Sequence, residues 1–263
     1  MKQKYFVADA FADKVFEGNP AGVCVLKEWL PDATMQAIAV ENNLSETAFA
    51  VKEGDVYGLR WYTPGGEVDL CGHATMGAAY IIAQHYDTKL NPIVFHTKKA
   101  GHTLRVSKKD DLLEMDFPVY QFKPVPVTPA MEEALGMKIL EASLGRDLLC
   151  VVENEDLVIN ANPDLSKVKA LPDGMGAFLT AKGSKKYDLV SRCFFPKINV
   201  PEDPVTGSAH SHLIPFWSQK LGKTEFVARQ ASPRGGTLYC HLKGDRVFMS
   251  GRAVQYLEGE ITF

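Results

Sequence analysis

One stretch of this chain limits what it can fold into: residues 69–86, DLCGHATMGAAYIIAQHY. After Gly72 it carries no Asp, Glu, Lys or Arg, and it is rich in Ala, Ile, Met and Gly. A helix that is apolar on every side is buried by other elements, and this one is shorter than the roughly 20 residues of a membrane span. Its entrance, 71–73, is small and polar, so the first backbone N–H groups are open to a ligand. The stretch predicts a core helix whose N-terminus faces a site.

The same design occurs a second time. Residues 60–64 (RWYTP) precede Gly-His-Ala at 72–74, and residues 192–196 (RCFFP) precede Gly-Ser-Ala at 207–209. The strand segments are 132 residues apart and the glycines 135, so the second copy has three more residues in its loop. The apolar run that follows predicts a second buried helix, kinked at Pro215. Chance among common residue types is the alternative, but two matched blocks in the same order favour a duplication.

Composition narrows the class of protein. The chain has 263 residues, 46% of them hydrophobic, with a net charge of −3 and a mean hydropathy of −0.11. Its Lys and Arg residues are scattered, which gives no electrostatic case for nucleic acid or a membrane surface. The N-terminus lacks the long apolar run of a signal peptide. The five cysteines form no CxxC pair, and their odd number favours reduced thiols in a cytoplasmic protein.

The order of strands and helices predicts an α+β fold of two similar domains. The proline-rich passage 121–129 puts the domain boundary at 117, giving domains of residues 1–117 and 118–263, with the C-terminal strand free to return to the first. A helix capped by Asp32 and a short helix near Pro129 are expected. The apolar run 156–160 predicts a strand. Two similar halves would bring their helix N-termini to one cleft between them.

Glu46 is the single residue that most strongly suggests acid/base chemistry. It shares the face of a predicted strand with Ala48 and Ala50, which are small and apolar. A carboxyl group in such surroundings is poorly solvated, which suits it to exchange protons near neutral pH. The alternative is a glutamate at a strand end that points into water. Spacing alone does not decide between the two.

A second polar set surrounds the start of the second buried helix. Thr206, Ser208 and the N–H groups beyond Gly207 are suited to bind a carboxylate or a developing enolate oxygen, and Asp203 to order a donor or share a proton. Plain N-capping is the alternative, but it needs only one such residue. His73 stands where the second copy has Ser208. A helix start lowers the pKa of a histidine, so His73 is expected to act as a neutral hydrogen-bonding group.

Several other chemistries lack a motif. The chain has no G-x-S-x-G, no phosphate-binding loop and no dinucleotide-binding glycine pattern. His210 and His212 are two residues apart, which is a poor ligand spacing on a helix, and no Cys/His cluster accompanies them. The sequence therefore predicts no metal site.

Taken together, four motifs resemble the phenazine-biosynthesis isomerase (PhzF-like) family, within the diaminopimelate epimerase-like fold. They are GNPAGV at 18–23, NLSETAF at 43–49, CGHAT at 71–75 and DPVTGSA at 203–209. The resemblance spans nearly the whole chain. It implies two similar domains, each a twisted, mostly antiparallel sheet around a buried central helix, with the site between them. It also implies a cofactor-independent isomerase that is often a homodimer. Our hypothesis for its substrate is a small carboxylated molecule.

The resemblance assigns roles residue by residue. Glu46 matches the family's acid/base glutamate, and His73, Asp203 and Ser208 match its other polar site residues. Gly72 and Gly207 open the two helix starts, and Asn19 belongs to a Gly-Asn pair that related racemases use near substrate. Catalytic roles are thus expected for Glu46, Asp203 and His73, and substrate binding for Ser208, Gly72, Gly207 and Asn19.

The wider fold includes racemases that use two thiols. Cys71-Gly72 matches their first Cys-Gly, but Thr206 stands where the second thiol would be. Inverting one carbon needs a base on one face and an acid on the other, whereas one carboxylate can move a hydrogen between two carbons on the same face. Isomerisation of an unsaturated or cyclic acid, with Glu46 as base and then acid, is therefore favoured. The alternatives are an epimerase that uses Cys71 and a non-catalytic protein that binds small acids.

Overall fold

Two buried helices, each packed on its own sheet, organise the chain. The structure is a computed structural model that describes all residues, Met1–Phe263. It divides into unit 1, residues 1–116 with 250–263, and unit 2, residues 117–249. The fold is α+β and rich in strands, as predicted. None of the helices combines the length and the apolar content that crossing a membrane requires.

The elements alternate between short strands and few helices. The first half of the chain contains β1 (Lys2–Ala10), β2 (Asn19–Leu26), α1 (Asp32–Asn42), β3 (Glu46–Glu53), β4 (Val56–Thr63), β5 (Gly66–Val68), α2 (Gly72–His85), β6 (Ile93–Thr97), β7 (Thr103–Lys109) and β8 (Leu112–Pro118). The second half contains β9 (Lys123–Val125), α3 (Pro129–Leu135), β10 (Glu141–Leu144), β11 (Leu148–Val151), α4 (Glu155–Ile159), α5 (Leu165–Ala170), β12 (Ala177–Lys182), β13 (Leu189–Phe195), a 3-10 turn (Pro196–Ile198), β14 (Val200–Asp203), α6 (Gly207–Leu221), β15 (Glu225–Gln230), β16 (Gly236–Lys243), β17 (Arg246–Gly251) and β18 (Ala253–Thr262).

The two units share one order of strand pairing. In unit 1, β18 pairs antiparallel with β1, β1 antiparallel with β2, β2 parallel with β3, and β3 antiparallel with β4. β4 then pairs antiparallel with β5 and parallel with β6. In unit 2, β9, β10, β11, β12, β13, β14 and β15 repeat these pairings with the same directions. The repeat read from the sequence is therefore also a repeat of topology.

The terminal strand β18 belongs to the sheet of unit 1. Its register with β1 runs from Lys2 opposite Thr262 to Ala10 opposite Ala253, with a bulge after Val7. Residues 250–263 thus lie in unit 1. The sequence alone places them in the second domain, 118–263, but allows the C-terminal strand to return to the first.

Helix α2 forms the centre of unit 1. It packs against β1 and β2, and its side chains from His73 to Ala79 are all buried. Gly77 allows a close approach, since a Cβ there would lie 3.3 Å from the Cβ of Ala21. On the opposite face of the sheet, α1 buries Met35, Ile38 and Ala39 against strand side chains that include Phe49. The sheet is therefore covered on both faces.

Helix α6 has the same place in unit 2. Trp217 donates a hydrogen bond of 3.0 Å to Thr180 of β12, and Nε2 of His212 lies 3.0 Å from the hydroxyl of Ser143 in β10. The helix continues through Pro215. A separate apolar cluster with side chains from α3, α4 and α5 includes Leu179 and Val190, from β12 and β13. As in unit 1, both faces of the sheet are buried.

Two local predictions are wrong. Residues 155–159 form helix α4 rather than a strand, because the side chain of Asn154 accepts a hydrogen bond from the N–H of Leu157 and caps a first helical turn. Asp32 does not cap α1; Pro31 holds the N-cap position, and the Asp32 carboxylate instead accepts a hydrogen bond from Arg60. The predicted short helix near Pro129 is confirmed, with Thr128 as its cap.

Candidate active site

Glu46 is the first residue of β3. In the parallel pairing of β2 with β3 its register partner is Ala21, and its neighbours Ala48 and Ala50 are fully buried. Thr47 and Phe49 point to the opposite face. The side chain of Glu46 is 18% exposed, so the carboxylate has little water around it. The alternative of a solvated glutamate at a strand end is therefore wrong.

His73, in the first turn of α2, faces this carboxylate. Its Nε2 lies 3.1 Å from Oε2 of Glu46, close enough for an ion pair although the two groups are not aligned as a hydrogen bond. Burial opposes a positive charge on the ring, but the electrostatic interactions and hydrogen bonds with Cys71 and Glu46 outweigh it and raise the pKa of His73 well above its ordinary value. The expected lowering of this pKa is wrong, because a carboxylate in contact acts more strongly than the helix start. His73 is thus a cation beside Glu46.

Cys71 completes this group in unit 1. It occupies the N-cap position of α2, and its sulfur lies 3.5 Å from Nδ1 of His73. Burial, followed by the nearby charge of Glu46, raises the pKa of the Cys71 thiol. A thiol, rather than a thiolate, is therefore the resting form near neutral pH.

In unit 2 the corresponding helix start is built differently. Thr206 occupies the N-cap position of α6, yet its hydroxyl makes no capping hydrogen bond. It donates instead to Oδ2 of Asp203, at 2.7 Å. The alternative of plain N-capping is therefore wrong for Thr206, because a capping hydroxyl accepts a hydrogen bond from the second or third helical N–H.

Ser208 has a partner that the sequence reasoning missed. The guanidinium of Arg146, in the turn between β10 and β11, donates to the Ser208 hydroxyl at 3.0 Å. Arg146 is oriented by its bond to the buried carboxylate of Asp147, at 2.8 Å, and its guanidinium lies 5.4 Å from the centre of the Tyr120 ring. Its side chain remains 37% exposed. A cation that is fixed yet reachable is suited to hold an anionic ligand.

No motif in the sequence pointed to Arg146. It lies 62 residues before Ser208 along the chain, and only the pairing of β10 with β11 places its turn beside the start of α6. The one available signal was a lone Arg-Asp pair in a short turn between two strands, which is a common surface feature.

The remaining predicted residues lie at the starts of elements. Gly72 and Gly207 are the first residues of α2 and α6. A Cβ at Gly207 would meet no atom within 4 Å, so there is room for a ligand over the first turn of α6. Asn19 begins β2, two residues before the partner of Glu46, and its side chain is fully buried.

The structure has no pair of neighbouring thiols at these helix starts. Cys193 lies opposite Asp203 in the β13–β14 pairing, but it is fully buried, and that burial raises the pKa of its thiol well above the ordinary range. All five cysteines are buried and unpaired.

One group of side chains could hold a metal ion. Glu46, Cys71 and His73 each offer one ligand atom, and these atoms lie within 4.8 Å of one another. Two conditions oppose binding, since a metal requires a thiolate and a neutral imidazole, whereas the pKa values of both Cys71 and His73 are raised. The absence of a metal from the working enzyme stays a prediction.

Similar proteins agree on one family. Residues 8–259 match the family of phenazine biosynthesis-like proteins. The chain is 45% identical over 261 residues to an uncharacterized isomerase of Pseudomonas aeruginosa, with 99% of each chain covered. The crystal structure of a PhzF-family phenazine biosynthesis protein from Enterococcus faecalis is 49% identical, has a TM-score of 0.97 and covers 100% of both chains. A predicted epimerase from Pseudomonas aeruginosa, 20% identical, has a TM-score of 0.74 over 99% of each chain, which shows a shared fold.

The fold and these relatives define an enzyme of the isomerase class. The chain belongs to the phenazine biosynthesis-like (PhzC-PhzF) family and has its diaminopimelate epimerase-like fold.

Proposed function

We propose that this isomerase shifts a proton between two carbons of a small carboxylated substrate that is unsaturated or cyclic. Glu46 acts first as the general base and then as the acid. The observation that carries the proposal is the Glu46 carboxylate, which is largely shielded from water and 3.1 Å from Nε2 of His73. A carboxylate in such a place can take a proton from carbon and return it before water intervenes.

The positive charge of His73 supports this role in two ways. It places a counter-charge 3.1 Å from the Glu46 carboxylate, where it can hold that group in position. Once Glu46 has taken the proton, the imidazolium is left without its counter-charge and is available to stabilise a negative charge that develops on the substrate. The protonated Glu46 then returns its proton to a second carbon on the same face.

The second polar group would bind the substrate's carboxylate or enolate. Ser208 and the first N–H groups of α6 supply neutral donors, Gly207 leaves room above them, and Arg146 supplies a positive charge. We propose that Asp203 accepts a hydrogen bond from a donor on the substrate. In this proposal Asn19 and Gly72 contribute to the binding of the substrate.

A second candidate function is a thiol epimerase that uses Cys71. The 3.5 Å contact between the Cys71 sulfur and His73 favours it, because a positive charge on that ring would stabilise the thiolate that such a mechanism uses. Two observations oppose it: burial raises the pKa of Cys71, and Thr206 stands where a second thiol is needed. The single-carboxylate mechanism requires neither an ionised Cys71 nor a second thiol.

The proposed reaction needs only a base, an acid and hydrogen-bond donors, so we propose that it proceeds without a cofactor. We also propose that the enzyme is a homodimer and that it is located in the cytoplasm. Light scattering coupled to gel filtration tests the homodimer, for which twice the chain mass of 29.0 kDa is expected.

Deuterium transfer tests the proposed mechanism. Small unsaturated and cyclic acids are first screened by thermal shift, and those that bind are assayed for isomerisation in deuterated water. If Glu46 returns the proton that it removed, the product gains less than one solvent deuterium per turnover, since the buried acid exchanges slowly. A mechanism with two bases draws the incoming hydrogen from solvent, so one full deuterium in every product molecule would overturn the proposal.

A further inference from the structure

Gln230 ends β15, and its fully buried side chain connects Asp203, the last residue of β14, with Thr206, the N-cap residue of α6. The backbone N–H of Thr206 donates to Oε1 of Gln230 at 2.8 Å, and Nε2 of Gln230 donates to the backbone carbonyl of Asp203 at 2.7 Å. A backbone N–H can only donate and a carbonyl can only accept. The amide of Gln230 therefore has one possible orientation.

This orientation sets the direction of the next hydrogen bond. The second hydrogen on Nε2 of Gln230 points at the hydroxyl oxygen of Thr206, 3.1 Å away. Because that oxygen accepts a hydrogen bond from the amide, the single hydroxyl hydrogen must go to another acceptor. Oδ2 of Asp203 lies 2.7 Å from the same oxygen. The chain of donors thus runs in one direction, from Gln230 through Thr206 to Asp203.

We infer that Gln230 and Thr206 are positioning residues that hold the Asp203 carboxylate ionised and fixed in direction for the substrate. An ionised carboxylate can only accept hydrogen bonds, and a protonated one would have to compete with the Thr206 hydroxyl for Oδ2. The inference rests on the proposed role of Asp203, but the donor chain is a property of unit 2 alone.

The chain also explains why Thr206 is not a capping residue. Thr206 is buried, with 5% of the residue exposed. Its hydroxyl makes no hydrogen bond to the first helical N–H groups, which stay available to a ligand. A threonine that occupies the place of a racemase thiol is here a donor to a neighbouring carboxylate. It is not a second acid or base.

The test follows the titration of Asp203 by NMR in the full chain labelled with ¹³C at the aspartate carboxyl groups. The Asp203 signal is identified by its loss in Asp203→Asn. Thr206→Val removes the hydroxyl at nearly constant volume and should raise the Asp203 titration midpoint by about one pH unit. Thr206→Ser keeps the hydroxyl and should restore the midpoint.

Gln230→Met tests the first member of the chain. It should raise the same midpoint by a smaller amount, since the Thr206 hydroxyl can then rotate away from Asp203. In the double variant with Thr206→Val the midpoint should equal that of Thr206→Val alone, because Gln230 acts through the hydroxyl. Thr180→Val, which removes a buried hydroxyl elsewhere in unit 2, is the control for a loss of stability and should leave the midpoint unchanged.

An unchanged Asp203 midpoint in Thr206→Val would overturn the inference, and this result stands even if Gln230→Met does not fold. Additive shifts in the double variant would overturn the part played by Gln230. Failure of the proposed function has a different signature, because full turnover by a Glu46 variant leaves the Asp203 titration unaffected.

Discussion

In both units the same frame, which is a long strand, a short strand and a buried helix, presents side chains of different chemistry. The frame consists of β4, β5 and α2 in unit 1 and of β13, β14 and α6 in unit 2. In unit 1, Arg60 of β4 makes two parallel hydrogen bonds, of 2.7 and 2.8 Å, to the carboxylate of Glu67. In unit 2, Arg192 of β13 makes the same pair of bonds, both of 2.7 Å, to Glu202. Each pair joins the long strand to the short strand, β5 or β14, that precedes the buried helix, so this short strand has the same anchor in both units.

The first helical turns also correspond. Thr75 of α2 donates its hydroxyl to the carbonyl of Cys71 at 2.6 Å, and Nδ1 of His210 in α6 lies 2.8 Å from the carbonyl of Thr206. Both side chains stand four residues after the N-cap. The matched positions are those that hold the backbone in place, because a shift of either anchor would unpair a buried group.

The units differ in the side chains that this frame presents. Unit 1 brings a carboxylate, an imidazole and a thiol together, and unit 2 brings hydrogen-bond donors and an arginine. The comparison shows that one backbone arrangement can present two different sets of side chains. We propose proton transfer for the set in unit 1 and anion binding for the set in unit 2.

The largest expected effect is on the free energy of unfolding, when an arginine that anchors the frame is replaced. Arg192→Met leaves the carboxylate of Glu202 partly buried without its partner and also removes a 2.6 Å bond to the carbonyl of Ala161, so a loss of roughly 3–5 kcal/mol in the free energy of unfolding is expected. Arg60→Met should cost less, since its third partner, Asp32, is exposed. Urea denaturation measures both, with the surface variant Lys4→Met as a control that should change little. Equal, small losses would show that the anchors do not hold the frame.

A second expected effect concerns pH. Burial lowers the pKa of His210 to about 4, so between pH 6.5 and 4 the unfolded chain binds a proton that the folded chain does not. Stability should therefore fall as the pH falls through that range, by roughly 3 kcal/mol for this one group. His210→Asn should flatten this part of the profile of unfolding free energy against pH. A profile identical to wild type would contradict the assigned neutral state.

His73 should have the opposite dependence. Its raised pKa means that the folded chain keeps a proton that the unfolded chain loses above about pH 6.5. The stability that it contributes is complete at lower pH and is lost as the pH rises through the folded-state pKa. His73→Gln should remove this alkaline loss in denaturation curves recorded between pH 7 and 9. An unchanged alkaline slope in the variant would mean that His73 is neutral.

Arg146 sharpens the assignment of anion binding to unit 2. Arg146→Met keeps the length of the side chain but removes the charge, and should raise the KM for the carboxylated substrate about 10- to 100-fold, as expected for a charged hydrogen bond. kcat should change less. Lys167→Met, which removes a cation from an exposed pair in the same unit, is the matched control. A lower kcat with an unchanged KM would mean that Arg146 does not bind substrate.

The smallest expected effect is at Cys71. Cys71→Ala should keep turnover within about 10-fold of wild type, because the proposed mechanism assigns no proton to the thiol. Treatment with iodoacetamide should inactivate slowly if at all, since the thiol is buried and its pKa is raised. A loss of roughly 100-fold or more in Cys71→Ala would revive the thiol epimerase.

Local patterns in the sequence predicted the frame well. The helix starts at Gly72 and Gly207 and the strand face shared by Glu46 and Ala48 follow from spacing alone, and the structure confirms them. The prediction of a strand at 156–160 was wrong because a short apolar run of that length fits a strand or a helix equally well. The hydrogen bond from the N–H of Leu157 to the side chain of Asn154 favours the helix.

Contacts between distant segments could not be predicted in this way. The positions of Arg146 and Gln230 beside α6 depend on how β10, β11 and β15 join the sheet of unit 2. The pKa of His73 depends on one contact with Glu46, 27 residues away along the chain. Pairwise electrostatics of this kind outweigh the general effect of a helix start, and spacing contains no information about them.

The most direct test of the central claim is the turnover of Glu46→Gln on the identified substrate. Glutamine keeps the size of the side chain and most of its hydrogen bonds but cannot accept the proton. Turnover should fall by roughly 100- to 10,000-fold while the affinity for the substrate changes little. Turnover equal to that of the wild type would contradict the account, since unit 1 would then have lost its base without losing the reaction.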